Sequence, residues 1–123
     1  MHKLQSLRID KRVHERGDNS GIDCIEECLN KEHFLAYPYV VSYKYNSKGF
    51  RDQEWPADLQ NAIWCIGDSL TVGMGTPFEN TWPQVLSSTT GCRTINISMD
   101  GASNAWISRW AKTIAEEVSP KNI

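Results

Sequence analysis

Ser69 is the residue of this sequence best placed to do chemistry; it stands in Ile63-Trp64-Cys65-Ile66-Gly67-Asp68-Ser69-Leu70-Thr71-Val72-Gly73. Ala62 to Ile66 is a compact apolar run that stops abruptly at Gly67, which reads as a parallel-sheet strand buried on both faces. A serine just past the carboxyl end of such a strand lies where open α/β sheets build their sites. If a helix begins there, its first N–H groups and positive dipole end surround the hydroxyl. Gly67 permits a sharp turn, and Gly73 permits close approach of a ligand to the backbone. The chemistry this allows is nucleophilic attack on a carbonyl carbon. Serine keeps its proton near neutral pH, so it needs an adjacent base and donors for the oxyanion that forms. The bland reading of Ser69 is a residue in a helix-capping turn.

Other residue types that could carry chemistry come to less. Gly67, Gly73 and Gly75 lack both the Gly-Lys-Ser/Thr ending of a P-loop and the dinucleotide glycine spacing. Cys24 and Cys28, with His33 nearby, are too few and too widely spaced for a metal site, so no metal or organic cofactor is expected. Cys65 reads as a small buried hydrophobe inside its apolar run. The three histidines, His2, His14 and His33, all precede Ser69. Arg51 and Asp52 could pair with each other or with the main chain, and no chemistry is assigned to them.

The elements that must position Ser69 are legible in part. Gly17 to Gly21 carries a loop signal, and Ile22 to Asn30 could form one or two helical turns. Tyr37, Tyr39, Val41, Tyr43 and Tyr45 recur at a spacing of two, placing them on one strand face for packing or for stacking a substrate. Pro38 confines that strand to a sheet edge or to its own first residues. Asn46-Ser47-Lys48-Gly49 signals a turn. Beyond Ser69, Glu79 to Ser88 predicts a short helix with Trp82, Val85 and Leu86 sharing a face, and Arg93 to Ser98 a second strand. Ser103 caps a helix predicted over 104–118, whose Trp106, Trp110, Ile114 and Val118 form an apolar stripe. Pro120 ends it, and Lys121-Asn122-Ile123 reads as the first step into another strand. The order strand, loop, helix, strand, loop, helix predicts a parallel α/β sheet.

Gly67-Asp68-Ser69-Leu70, followed by Thr71 and Gly73, resembles the first block of the GDSL (SGNH) serine hydrolases. Asn96-Ile97-Ser98-Met99-Asp100-Gly101-Ala102-Ser103 resembles their second, with Ser98 where many members have glycine. The stretch from Val41 to Asp52 is similar to a leader found in some microbial and phage-type members. The resemblance implies a three-layer, flavodoxin-like α/β fold and ester hydrolysis through an acyl-enzyme. It makes Ser69 the nucleophile, and the N–H groups of Ser69 and Gly101 two oxyanion donors. It also implies an asparagine block and an aspartate–histidine pair, neither of which follows Ser69 here. On this reading residues 1–60 are an extension with a Tyr-rich strand. Residues 61–123 are the first part of an SGNH domain, truncated after its second core helix, with Trp106 and Trp110 facing the absent part. The apolar faces of sheet and helices would then lack partners. Such a chain reads as a truncated gene product, a fragment or a split protein; it is expected to be nearly inactive alone, and a separately encoded carboxyl-terminal half is one candidate partner. The rival is a non-catalytic α/β binding or interaction fragment.

Composition sets the outer limits. At 123 residues the chain is long enough for a real core without staples. A net charge of -2, with acids and bases balanced in each half, gives no footprint for nucleic acid. No apolar run approaches the ~20 residues of a membrane span. Met1 to Asp10 lacks the apolar core of a signal peptide, so a cytoplasmic location is expected and the four cysteines are read as free thiols. The expected partner is a small-molecule ester.

Overall fold

A computed structural model describes residues 19–22 and 40–123. Its strands are β1 (Asn19–Ile22), β2 (Val40–Tyr43), β3 (Ile63–Gly67) and β4 (Thr94–Ser98). Its helices are α1 (Ser69–Val72), α2 (Trp82–Thr90) and α3 (Asn104–Glu117), with a 3-10 turn at Phe78–Asn80. The result is a mixed α/β domain built on the parallel pair β3–β4, with β1 and β2 forming a separate antiparallel ribbon.

The pair β3–β4 runs in register from Ile63 opposite Thr94 to Gly67 opposite Ser98. Neighbouring residues of a strand point to opposite faces, so Trp64 and Ile66 share one face with Ile95 and Ile97. That face meets α3, where Ile114 and Val118 close a core with Phe50 and Ala62. On the other face a methyl group added at Gly67 would meet Thr71 of α1, and Thr94 Oγ1 donates to Pro83 O of α2 at 3.0 Å. Helices therefore cover both faces of the pair. The expectation that the sheet's faces would lack partners is thereby corrected: all five residues of β4 are buried.

The covering material includes residues upstream of β3. Phe50 is buried and meets Trp110 edge-on at 5.6 Å, while Trp55 meets Trp64 edge-on at 5.3 Å. Trp106 and Trp110 pack, half-buried, against this same cluster, so the stripe of α3 has its partner among residues 50–66. Edge-on ring pairs add about 0.5–1.5 kcal/mol each beyond simple burial. The cap is as expected, with Trp106 N donating to Ser103 Oγ at 3.2 Å. Beyond α3, Asn122 bridges Ile63 in parallel, and Trp64 N donates to Asn122 O at 3.2 Å. Ile63 N turns the other way, to Arg93 O at 2.8 Å, so Asn122 lies on the edge of β3 opposite β4.

Three further expectations need correction. Asn19 to Gly21 is strand rather than loop, because pairing with Val41 to Tyr43 gives its main chain partners that override turn propensity. Ile22 likewise belongs to β1, not to a helical turn; the rest of that predicted segment, with Tyr37, Pro38 and Tyr39, lies outside the described residues. Within β2 the alternation holds, with Val41 and Tyr43 buried and Ser42 exposed. Finally, α2 starts at Trp82 rather than Glu79, and of its apolar face only Leu86 is half-buried. Trp82 is 45% and Val85 50% exposed, because the helix docks through its first turn, at Pro83.

Candidate active site

Ser69 is the first residue of α1, two positions past the end of β3. The turn that carries it is closed from both ends. Asp68 adopts extended backbone as N-cap, its Oδ1 accepting from Leu70 N at 3.0 Å, and Asp68 O receives Thr71 N and Val72 N, each at 3.0 Å. At the other end Gly73 is left-handed, with φ 77°, and its N–H returns to Ser69 O at 3.0 Å. Gly67 is required for a different reason. A Cβ there would stand 1.9 Å from Thr71 Oγ1, so the helix folds back onto the strand only because position 67 has no side chain. Asp68 thus orders the turn as its N-cap.

Gly101 lies three positions past the end of β4, at the same carboxyl edge. The strand ends are tied by Met99 N to Gly67 O at 3.3 Å, and Ala102 N donates back to Met99 O at 3.0 Å. This turn puts Gly101 at φ 77°, exposed, with open space where a Cβ would sit. The topology thus brings both sequence-predicted site residues to adjacent strand ends. Among the described residues neither the Ser69 N–H nor the Gly101 N–H makes a hydrogen bond.

Behind α1 lies a buried polar network that spacing alone did not reveal. Asn96 Nδ2 donates to Thr71 O at 2.9 Å, and Ser98 Oγ donates to Asn96 Oδ1. Ser98 therefore helps orient the amide that holds α1. Arg51 Nη1 donates to Val72 O at 2.9 Å and to Gly73 O at 2.8 Å, and Nη2 to Ser42 O at 3.1 Å and Thr76 O at 2.9 Å. Its guanidinium lies over the Tyr43 ring at 4.6 Å, and burial lowers its pKa while leaving a cation. Tyr43 OH accepts from Gly75 N at 2.8 Å.

Asp52 faces the other way. Its buried carboxylate accepts from Asn96 N at 3.0 Å and Gln53 N at 2.8 Å, and pairs with Arg93 at 3.2 Å. Asp52 occupies an edge N–H of β4 that a further strand would otherwise use. Burial pushes its carboxyl above the ordinary value, against the hydrogen bond from Asn96 and the charge of Arg93. Both Arg51 and Asp52 bond the main chain, as one of the two sequence alternatives held. Nothing in the sequence links them to partners 21 to 44 positions away. Adjacent opposite charges between Phe50 and Pro56, flanked by aromatics, were the only available signal.

A cavity of about 520 Å³ has Lys44, Arg51, Asp52, Pro77, Phe78 and Glu79 among its walls; neither Ser69 nor Gly101 lines it. Cys65 is buried and its thiol is pushed up to about 11, by burial first and by Asp52 second, so it is inert as a nucleophile. Among the described residues no His, Cys, Asp or Glu cluster could hold a metal, and no helix is long and apolar enough to cross a membrane. Cys24, Cys28 and the histidines lie outside the described residues. The chain matches no protein-family model, no curated protein and no solved structure.

Proposed function

We propose that this chain carries the nucleophile half of a GDSL-type serine esterase. The observation that carries the reading is Ser69 opening a helix just past a buried parallel strand, beside a glycine turn on the neighbouring strand, with the N–H groups of both turns unspent. Asn122, on the edge of β3 opposite β4, supports the flavodoxin-like order in which the first strand lies between the second and third. The Ser69 Oγ bonds the ester carbonyl carbon as its proton passes to a base. The oxyanion draws on the N–H groups of Ser69 and Gly101. The alcohol leaves with the proton from the base, and water then repeats the sequence to release the acid. No described residue is a histidine, and His2, His14 and His33 match no aspartate–histidine motif, so no residue of 1–123 is assigned as the base. Losing the base of a serine hydrolase costs on the order of a million-fold in turnover. The chain alone is accordingly slow.

A fluorophosphonate probe tests this. Labelling mapped to Ser69 by mass spectrometry, accelerated by imidazole as a soluble base and abolished by Ser69→Ala, is the expected result. Labelling that survives Ser69→Ala, or none with imidazole present, sinks the reading. A second reading, a non-catalytic interaction fragment, is favoured by the exposure of Leu70, Met74, Trp82 and Val85. It predicts no labelling together with binding of a protein partner through these side chains.

A further inference from the structure

We infer that Arg51 is a positioning residue for Ser69, acting through the carboxyl end of α1. The inference rests on the esterase reading for its catalytic meaning, and on main-chain geometry for its substance. A four-residue helix cannot hold itself in place, because it closes too few of its own hydrogen bonds. The carbonyls of Thr71, Val72 and Gly73 are nevertheless all engaged, the first by Asn96 and the next two by a single Arg51 nitrogen. The second terminal nitrogen ties the same guanidinium to Ser42 in β2 and to Thr76 beyond the helix.

What makes this more than generic packing is the use of the charge. Arg51 is 1% exposed, and its four terminal N–H bonds all go to neutral carbonyls. Among the described residues its Nε–H has no partner. Among the described residues no carboxylate bonds the guanidinium, Glu79 acting on it only through space, and a buried cation held this way is a costly fastener where a neutral one would serve. A guanidinium offers what no neutral side chain does: a rigid planar fork that fixes several acceptors at once. Here two of those acceptors, Val72 O and Gly73 O, are the far end of the turn whose near end presents Ser69. A displacement near 1 Å at a reacting atom can cost about a hundredfold in rate, so the fork guards the hydroxyl's aim.

The experiment uses the full chain, with Arg51→Ala and Arg51→Lys beside wild type. Site-resolved amide hydrogen exchange is read at Val72, Gly73 and Met74, and at Cys65, Gly67 and Ile97 of the sheet. In the alanine variant the turn amides exchange about tenfold faster or more while sheet amides stay within about twofold, and lysine falls between. Fluorophosphonate kinetics with imidazole then show a maximal labelling rate about tenfold lower, with the probe's half-saturating concentration unchanged. Equal acceleration at turn and sheet, or an unmoved turn in a folded variant, overturns the inference. So does a shift in half-saturation with the maximal rate intact. If the alanine variant does not fold, the lysine variant decides on the same criteria. A wild-type chain that takes no probe refutes the esterase reading instead, and the exchange pattern still judges the anchoring.

Discussion

At the scale of single residues, side chains are chosen here by what a few ångströms of backbone approach permit. Gly67→Ala places a methyl group on Thr71, whose Cβ would lie 2.7 Å away, and neither strand nor helix can yield without losing β3 or α1. We expect a loss of about 1–3 kcal/mol, measured as a lower urea midpoint. Cys65 and Cys92 make a contrasting pair. Cys92 is exposed, whereas Cys65 is buried and its thiol is pushed up to about 11 by that burial. Iodoacetamide at pH 8 should therefore modify Cys92 and spare Cys65 until urea unfolds the chain, as peptide mapping would show. Equal modification of both in the folded protein would contradict the burial. Asp52 makes a prediction about pH. Its folded carboxyl binds its proton more tightly than the unfolded one, so its contribution is fully present at low pH. That contribution is lost as pH rises from the ordinary carboxylate value through the raised one. Glu54 and Asp58, exposed and shifted downward by hydrogen bonds, act in the opposite sense. The diagnostic is thus the difference between wild type and Asp52→Asn: the wild type loses stability relative to the variant as pH climbs through this window. A difference flat with pH would show that Arg93 and Asn96 N fully compensate the burial.

The elements show where sequence patterns suffice and where they fail. β3, β4 and α3 were legible because each has one dominant signal: an apolar run, a β-branched segment, and a four-residue apolar stripe with a serine cap. Ser103→Ala should cost about 1 kcal/mol, since the Trp106 N–H loses its acceptor. Ile114→Ala should cost about 2–5 kcal/mol, because Ile114 is fully buried against Phe50, Trp64 and Ile97. Thermal or urea unfolding checks both, and the order matters: a larger loss at the cap than in the core would contradict the packing described here. β1 was misread because Gly17 to Gly21 has turn composition, and pairing with β2 outweighs it. The exposure of α2 was not legible, because periodicity reports that Trp82, Val85 and Leu86 lie together, not whether anything covers them. The buried network of Arg51, Asp52 and Asn96 left no periodic trace at all, since its bonds join residues far apart in sequence.

For the whole molecule, both faces of a short parallel pair are covered within residues 50–123, and its carboxyl edge presents Ser69 and Gly101 on adjacent strands. That arrangement is the physical content of the proposed esterase. It concerns positioning, supplied through Asp68, Asn96 and Arg51; proton transfer is assigned to no described residue. That β3 and β4 are strands, each followed by a glycine-bearing turn and a helix, could be anticipated because it follows from local sequence. The support behind the turns could not, because it is tertiary. The most direct test of the central claim is a crystal structure of the chain phosphonylated at Ser69. The account predicts a phosphoryl oxygen about 2.7–3.1 Å from both the Ser69 and Gly101 nitrogens. A phosphoryl oxygen turned to solvent, with the Gly101 N–H aimed elsewhere, would contradict it.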